Sequence, residues 1–122
     1  LLRWTTPVIS FLRTATRPVV VRGQDVAEGD HVMLLYAAAN RDTEVFGPDA
    51  DQLRVDRHPN PHVSFGFGPH FCLGAALARL EARTVLDELL DRFPEWDVDL
   101  STASLSPTST VRGWQTLPVV VP

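Results

Sequence analysis

FGFGPHFCLG, residues 65–74, places three Phe, three Gly and the only Cys of the chain within ten residues. It sits just past the middle of a 122-residue chain. Immediately after it comes the clearest periodic segment. Ala78, Ala82, Val85, Leu86, Leu89, Leu90 and Phe93 recur at helical spacing and predict a helix over 73–92, ended by Pro94. Leu73, Ala76, Leu77 and Leu80 give its first half a second apolar side. A helix apolar on two sides is expected to lie between two covering layers. The sequence therefore puts a single thiol, Cys72, at the junction of an aromatic, glycine-rich loop and a buried helix.

Three readings of that thiol stand side by side. A lone Cys ahead of a helix is commonly a small buried core residue. A zinc site would join Cys72 to His58, His62 and His70, but zinc sites favour tightly spaced ligand pairs and this chain has one Cys. The third reading is one thiolate ligand to a large flat cofactor. A thiolate must stay deprotonated, and a helix N-terminus favours negative charge. The N–H groups of Leu73 and Gly74 would face the sulfur and tune it. Gly66, Gly68 and Gly74 permit a tight turn and a close approach to a planar ring. Phe65 and Phe67 would keep water from the sulfur, and His70 would meet a cofactor carboxylate.

The spacing Phe65-x-x-Gly68-x-x-x-Cys72-x-Gly74 resembles the haem-binding signature of the cytochrome P-450 monooxygenases, without exception along the ten residues. The resemblance implies the C-terminal portion of that mainly α fold, a mixed α+β stretch belonging to a single domain across 1–122. Its parts would be the end of the Glu-x-x-Arg helix, small β-sheets, the meander, the Cys loop, the long proximal helix and C-terminal β hairpins. It implies haem b, with Cys72 both metal ligand and catalytic residue. Phe65, Gly66, His70 and Gly74 would line the cofactor with it. Arg13 is similar to the family's propionate-pairing Arg, and His70 to a second propionate contact. Val8 and Ile9 resemble the substrate-contacting segment over the haem. Thr110 and Val111 resemble the turn that closes the pocket. Arg3 would close the Glu-x-x-Arg motif, its Glu just before Leu1, and Arg57 would join it in a buried network. Arg79 resembles a proximal-face Arg that docks a ferredoxin. Asn40-Arg41-Asp42, Phe46 and Pro48 resemble the segment leading into the meander. Leu53 and Arg54 depart from the family pattern, which usually has Phe and Asp there.

The activity implied is insertion of one atom of O2 into an apolar organic substrate, with electrons from a ferredoxin-type donor. Asn60-Pro61-His62 resembles members that oxidise lipids or sterols. The alternative implied by the same cofactor is a haem-binding or gas-sensing protein without turnover. The absence of Lys among 11 basic residues looks bacterial, and a cytoplasmic enzyme is expected.

Composition bounds the rest. A hydrophobic share of 44% with 21% charged residues is that of a globular chain, and a net charge of −4 offers no basic field for nucleic acid. No apolar run approaches the ~20 residues of a membrane span. Leu1 to Trp4 reads as the last turn of a helix stopped by Pro7, so we expect a piece of a longer protein, inactive alone. Val8–Arg13 reads as extended, and Val19–Arg22 and Gln24–Ala27 flank a hairpin at Gly23. His31–Tyr36 reads as a buried strand, and Ala37–Arg41 as one helical turn. Residues 42–71 read as a long loop, rich in aromatic and His residues toward its end. Short strands are expected at 96–98, near Leu105, at 110–111 and at 117–121.

Overall fold

The computed structural model describes residues 1–121 and divides into two compact units. The first comprises Leu1–Ser64 with Ser109–Val111. It opens with a single helical turn, α1 (Leu2–Thr5), closed by Thr6 in the left-handed conformation at φ 41°. Strand β1 (Ser10–Thr14) pairs antiparallel with β4 (His31–Leu35), Ser10 opposite Leu35 and Thr14 opposite His31. Between them β2 (Val19–Val21) and β3 (Gln24–Val26) form a hairpin. Its two-residue turn, Arg22-Gly23, has φ of 46° and 80°. Positive φ at both positions is what matches turn twist to strand twist in a tight hairpin.

Helix α2 (Tyr36–Ala39) follows β4 directly, and α3 (Thr43–Phe46) breaks the long loop expected from sequence. Asp42 accounts for that helix: its carboxylate accepts from the Glu44 N–H at 2.9 Å, an N-cap that a hydrophobic-period search does not register. β4 is less buried than its apolar run suggested. Only Val32 and Leu34 are partly covered, because a two-stranded sheet here shields one face.

The second unit comprises Phe65–Thr108 and, among the described residues, 112–121. A 3-10 turn (Gly68–His70) lies inside the Cys loop, and α4 runs Ala75–Arg92. The helix begins two residues later than predicted. Gly74 is its N-cap, and the first turn is tied by the Ala75 N–H donating to the Cys72 carbonyl at 3.2 Å. Strand β5 (Asp97–Val98) pairs with β8 (Val119–Val120), and β6 (Ser104–Leu105) with β7 (Trp114–Thr116), both antiparallel. The sequence reading placed β5, β6 and β8 and missed β7. Residues 110–111 form a single bridge to the first unit's own Val8 rather than a strand.

Burial is sparse. Among the described residues the buried hydrophobic side chains are Phe46, Ala50 and Ala75, and the buried polar ones are Arg3, Thr6, Asn40 and Ser64. Both apolar sides of α4 are open: Leu77 and Leu80 on one, Val85, Leu86, Leu89 and Leu90 on the other, all more than 40% exposed. The two covering layers that its sequence demands are not supplied by the described residues.

Candidate functional site

The Cys loop is built by three local devices within the second unit. Gly66 and Gly68 adopt φ of 75° and 67°, which only glycine takes without strain. The Cys72 N–H donates to the Phe65 carbonyl at 2.8 Å, closing the loop at its two ends. Phe71 N–H donates to the Gly68 carbonyl at 2.9 Å, closing the 3-10 turn. Phe65 and Phe71 meet edge to face with ring centroids 6.4 Å apart. Arg79, one turn into α4, lays its guanidinium over the Phe65 ring at 4.5 Å.

This geometry bears on two of the readings of the thiol. Cys72 is free and exposed, which corrects the reading of it as buried core. No group of three or more His, Cys, Asp or Glu that could hold a metal ion occurs among the described residues, which removes the zinc cluster with His58, His62 and His70. What remains is an accessible sulfur held at a closed loop. A Cβ built on Gly74 would lie 3.9 Å from Cys72 Sγ, so the missing side chain keeps the space beside the sulfur clear. Phe67 and Leu73, near the thiol in sequence, are 86% and 103% exposed. An exposed soft donor, flanked by open apolar side chains and a bare glycine, fits a flat apolar macrocycle and its metal.

The family model for cytochrome P450 matches residues 1–115. The chain belongs to the cytochrome P450 family. It is 46% identical over 121 residues to a steroid C26-monooxygenase of Mycolicibacterium smegmatis, covering 98% of this chain and 30% of that relative. Its backbone matches the post-tailoring hydroxylase HmtN of himastatin biosynthesis with a TM-score of 0.93 at 41% identity, over 99% of this chain and 33% of that one. CYP109E1 from Bacillus megaterium, solved with testosterone, matches at a TM-score of 0.90 and 37% identity, over 98% of this chain and 33% of that one. The chain thus spans about a third of the length of the P450 relatives it matches, and it has the mixed fold of part of a P450. The family implies a haem cofactor with thiolate ligation.

The other residues singled out in the sequence fall as follows. Val8 pairs with Val111 in an antiparallel bridge, and the Ile9 N–H donates to the Thr110 carbonyl at 2.8 Å, so these four residues, scattered in sequence, form one patch. Arg13 lies on β1, partly exposed, with Nη1 donating to the Leu12 carbonyl at 2.9 Å. His70 is exposed at the end of the 3-10 turn.

Arg3 and Arg57 do converge, on the loop that carries residues 46–52. Arg3 Nη1 donates to the carbonyls of Asn40 and Ala50 at 2.6 and 2.7 Å, and Nη2 to that of Gln52 at 3.2 Å. Arg57 donates to the carbonyls of Phe46 and Asp49 at 2.8 and 2.9 Å and pairs with the Asp49 carboxylate at 3.0 Å. Burial first, then the like charges of Arg57 and Arg41, lower the Arg3 guanidinium from its ordinary value, with Asp49 opposing them. Arg57 Nε is buried with no hydrogen-bond partner among the described residues.

Sequence reasoning passed over two participants. Asp49 receives both Arg54 and Arg57, which hold its carboxyl below the usual carboxylate range, Arg54 contributing most. Arg54, the departure from the family pattern, is thereby used: it bridges Asp49 and Asp56. Asn40 was noted only as part of a motif, yet it is fully buried and bonded on every side.

Proposed function

We propose that this chain is the C-terminal part of a single cytochrome P450 domain. It supplies the thiolate ligand of a haem monooxygenase acting on an apolar organic substrate. The observation that carries the proposal is the exposed Cys72 thiol at a glycine-shaped loop closed by its own N–H on the Phe65 carbonyl. Haem b, when bound, supplies the oxidising chemistry, by which one atom of O2 enters the substrate and the other leaves as water. Cys72 ligates the iron, and Phe65, Gly66 and Gly74 give the macrocycle its bed. Arg13 and His70 neutralise the propionates. Val8, Ile9, Thr110 and Val111 orient the substrate and exclude water. Arg79 serves a ferredoxin-type electron donor. Arg3 and Arg57 brace the loop of residues 46–52, with the buried Arg57 Nε left to take a further acceptor. The relatives named a steroid C26-monooxygenase and solved with testosterone, together with Asn60-Pro61-His62, support a sterol or lipid substrate. The reading takes the enzyme to be cytoplasmic; no helix among the described residues is long and apolar enough to cross a membrane.

The open sides of α4 support a further part of the reading: the 122 residues alone do not hold haem stably. The test uses the full-length protein. Reduced and exposed to CO, it shows the Soret band that gives the family its name, and Cys72→Ser loses that band. Retention of the band in Cys72→Ser defeats the ligand assignment. A stable band from residues 1–122 alone defeats the claim that this part is insufficient.

A further inference from the structure

Thr6 and Asn40 are the largest fully buried side chains among the described residues. Thr6 is β-branched and sits at φ 41°, a left-handed conformation that such a residue rarely keeps. It also precedes Pro7, whose ring pushes the residue before it toward extended backbone. The conformation persists because its surroundings fix it. The Thr6 N–H donates to the Leu2 carbonyl at 3.0 Å, its hydroxyl donates to the Arg3 carbonyl at 2.6 Å, and the same oxygen accepts from Asn40 Nδ2 at 2.9 Å. Asn40 is fixed in turn: Nδ2 also donates to Ser64 Oγ at 2.9 Å, and Oδ1 accepts from the Val63 N–H at 2.8 Å. Ser64 Oγ gives its own proton to the Leu2 carbonyl at 2.8 Å. Both hydroxyls have therefore committed their protons and offer position 40 only lone pairs, which the amide N–H groups of an asparagine match.

The turn at Thr6 delivers the chain into Pro7, Val8 and Ile9. Pro7 has a fixed φ and no N–H. Val8 pairs with Val111, the Ile9 N–H donates to the Thr110 carbonyl at 2.8 Å, and the Ile9 carbonyl accepts from the Ala37 N–H at 3.3 Å. Ala37 lies on α2, and Asn40 is the C-cap of the same helix. One short helix and its cap thus hold the span of residues 6–9 at both ends. All of these groups belong to the first unit. Little backbone freedom is left between the two holds, so the Thr6 turn sets the direction in which Val8 leaves.

We propose that Thr6, held by Asn40, is a positioning residue for the substrate: its left-handed turn aims the Val8–Ile9 segment and keeps it registered on Thr110 and Val111. Fully buried, Thr6 acts through that segment and not by contact. The purpose rests on the reading that Val8, Ile9, Thr110 and Val111 orient the substrate, though the geometry does not.

The test is backbone hydrogen exchange on the full-length protein as purified, with the Ile9 amide as reporter. It compares Thr6→Val, Thr6→Ser and Thr6→Gly with the parent. Thr6→Val keeps the shape and the strain but leaves Asn40 Nδ2 and the Arg3 carbonyl without the hydroxyl, which speeds Ile9 exchange by about tenfold or more. Thr6→Ser keeps the hydroxyl and exchanges like the parent. Thr6→Gly takes φ 41° without strain. Lacking the hydroxyl, it speeds Ile9 exchange as Thr6→Val does, and it serves where Thr6→Val fails to fold. Exchange in the β2–β3 hairpin of the same unit stays unchanged throughout. Unchanged Ile9 exchange in folded Thr6→Val or Thr6→Gly, an equal rise in the hairpin, or exchange in Thr6→Ser as fast as in Thr6→Val overturns the proposal. The second readout is the ratio of affinities for 4-phenylimidazole and imidazole, followed by the Soret band. Both ligate haem iron through nitrogen, and only the first carries an apolar ring to press on the patch. Thr6→Val lowers that ratio several-fold with imidazole binding unchanged, and an unchanged ratio overturns the role in positioning substrate. If the parent binds both probes equally, the substrate-patch reading falls while the exchange result still decides the turn.

Discussion

Two glycines of the Cys loop separate backbone strain from crowding at the sulfur. Gly68 has φ of 67°, and a Cβ built there meets nothing within 4 Å. Gly68→Ala therefore has room, and its whole cost is the left-handed backbone, ~1–2 kcal/mol. Gly74 is the reverse case. Its φ of −83° and ψ of 6° suit any residue, and the new methyl would sit 3.9 Å from Cys72 Sγ, ordinary contact. Gly74→Ala gains ~0.4–1 kcal/mol by restricting the unfolded chain. The assay is hydrogen exchange of the Phe71 and Cys72 amides in the full-length protein stripped of cofactor. Phe71 reports directly, since its N–H is bonded to the Gly68 carbonyl. Gly68→Ala speeds exchange there by about 5- to 30-fold, the factor that 1–2 kcal/mol commands. Gly74→Ala leaves it equal or slower. With haem restored, Gly74→Ala perturbs the Soret band, because the methyl occupies space beside the sulfur. Equal exchange in Gly68→Ala and the parent refutes the strain argument. Faster exchange in Gly74→Ala than in Gly68→Ala refutes the division between the two.

Further predictions concern charge. The Asp49 carboxyl is held below its usual value by Arg54 and then Arg57, so its stabilising contribution is complete above the unfolded value of ~3.9 and fades as pH falls through the lower folded value. Urea midpoints measured from neutral pH downward therefore drop in acid, and Asp49→Asn flattens that drop; an unchanged acid slope in the variant counts against the pairing. Arg79→Ala raises the KM for the electron donor with little change in the reduced-CO band, and it weakens the salt dependence of donor binding. An unaltered KM would leave Arg79 with only its contact on Phe65.

The legible parts of this protein were those with local causes. The Cys loop is a spacing of Phe, Gly and Cys over ten contiguous residues, and its turn geometry follows from glycines whose need for positive φ is intrinsic. The hairpin at Arg22-Gly23 and the body of α4 were read for the same reason: turn chemistry and period act within a few residues. The short helix α3 was missed because one N-cap, and not an apolar period, starts it. β7 was missed because three exposed residues carry no alternation to detect.

Sequence by itself determined the family, the position of the single thiol in its glycine-rich loop and the two apolar sides of α4. Tertiary structure alone decided which distant residues meet. Val8 and Ile9 reach Val111 and Thr110 across about a hundred residues, and nothing in either segment names the other. Arg3 and Arg57 find the same loop through backbone carbonyls, which every residue has and no sequence pattern marks. Asn40 is the sharpest instance. Its side chain is required because two hydroxyls elsewhere have already spent their protons, and that is a property of their placement, not of the letters at positions 6, 40 and 64.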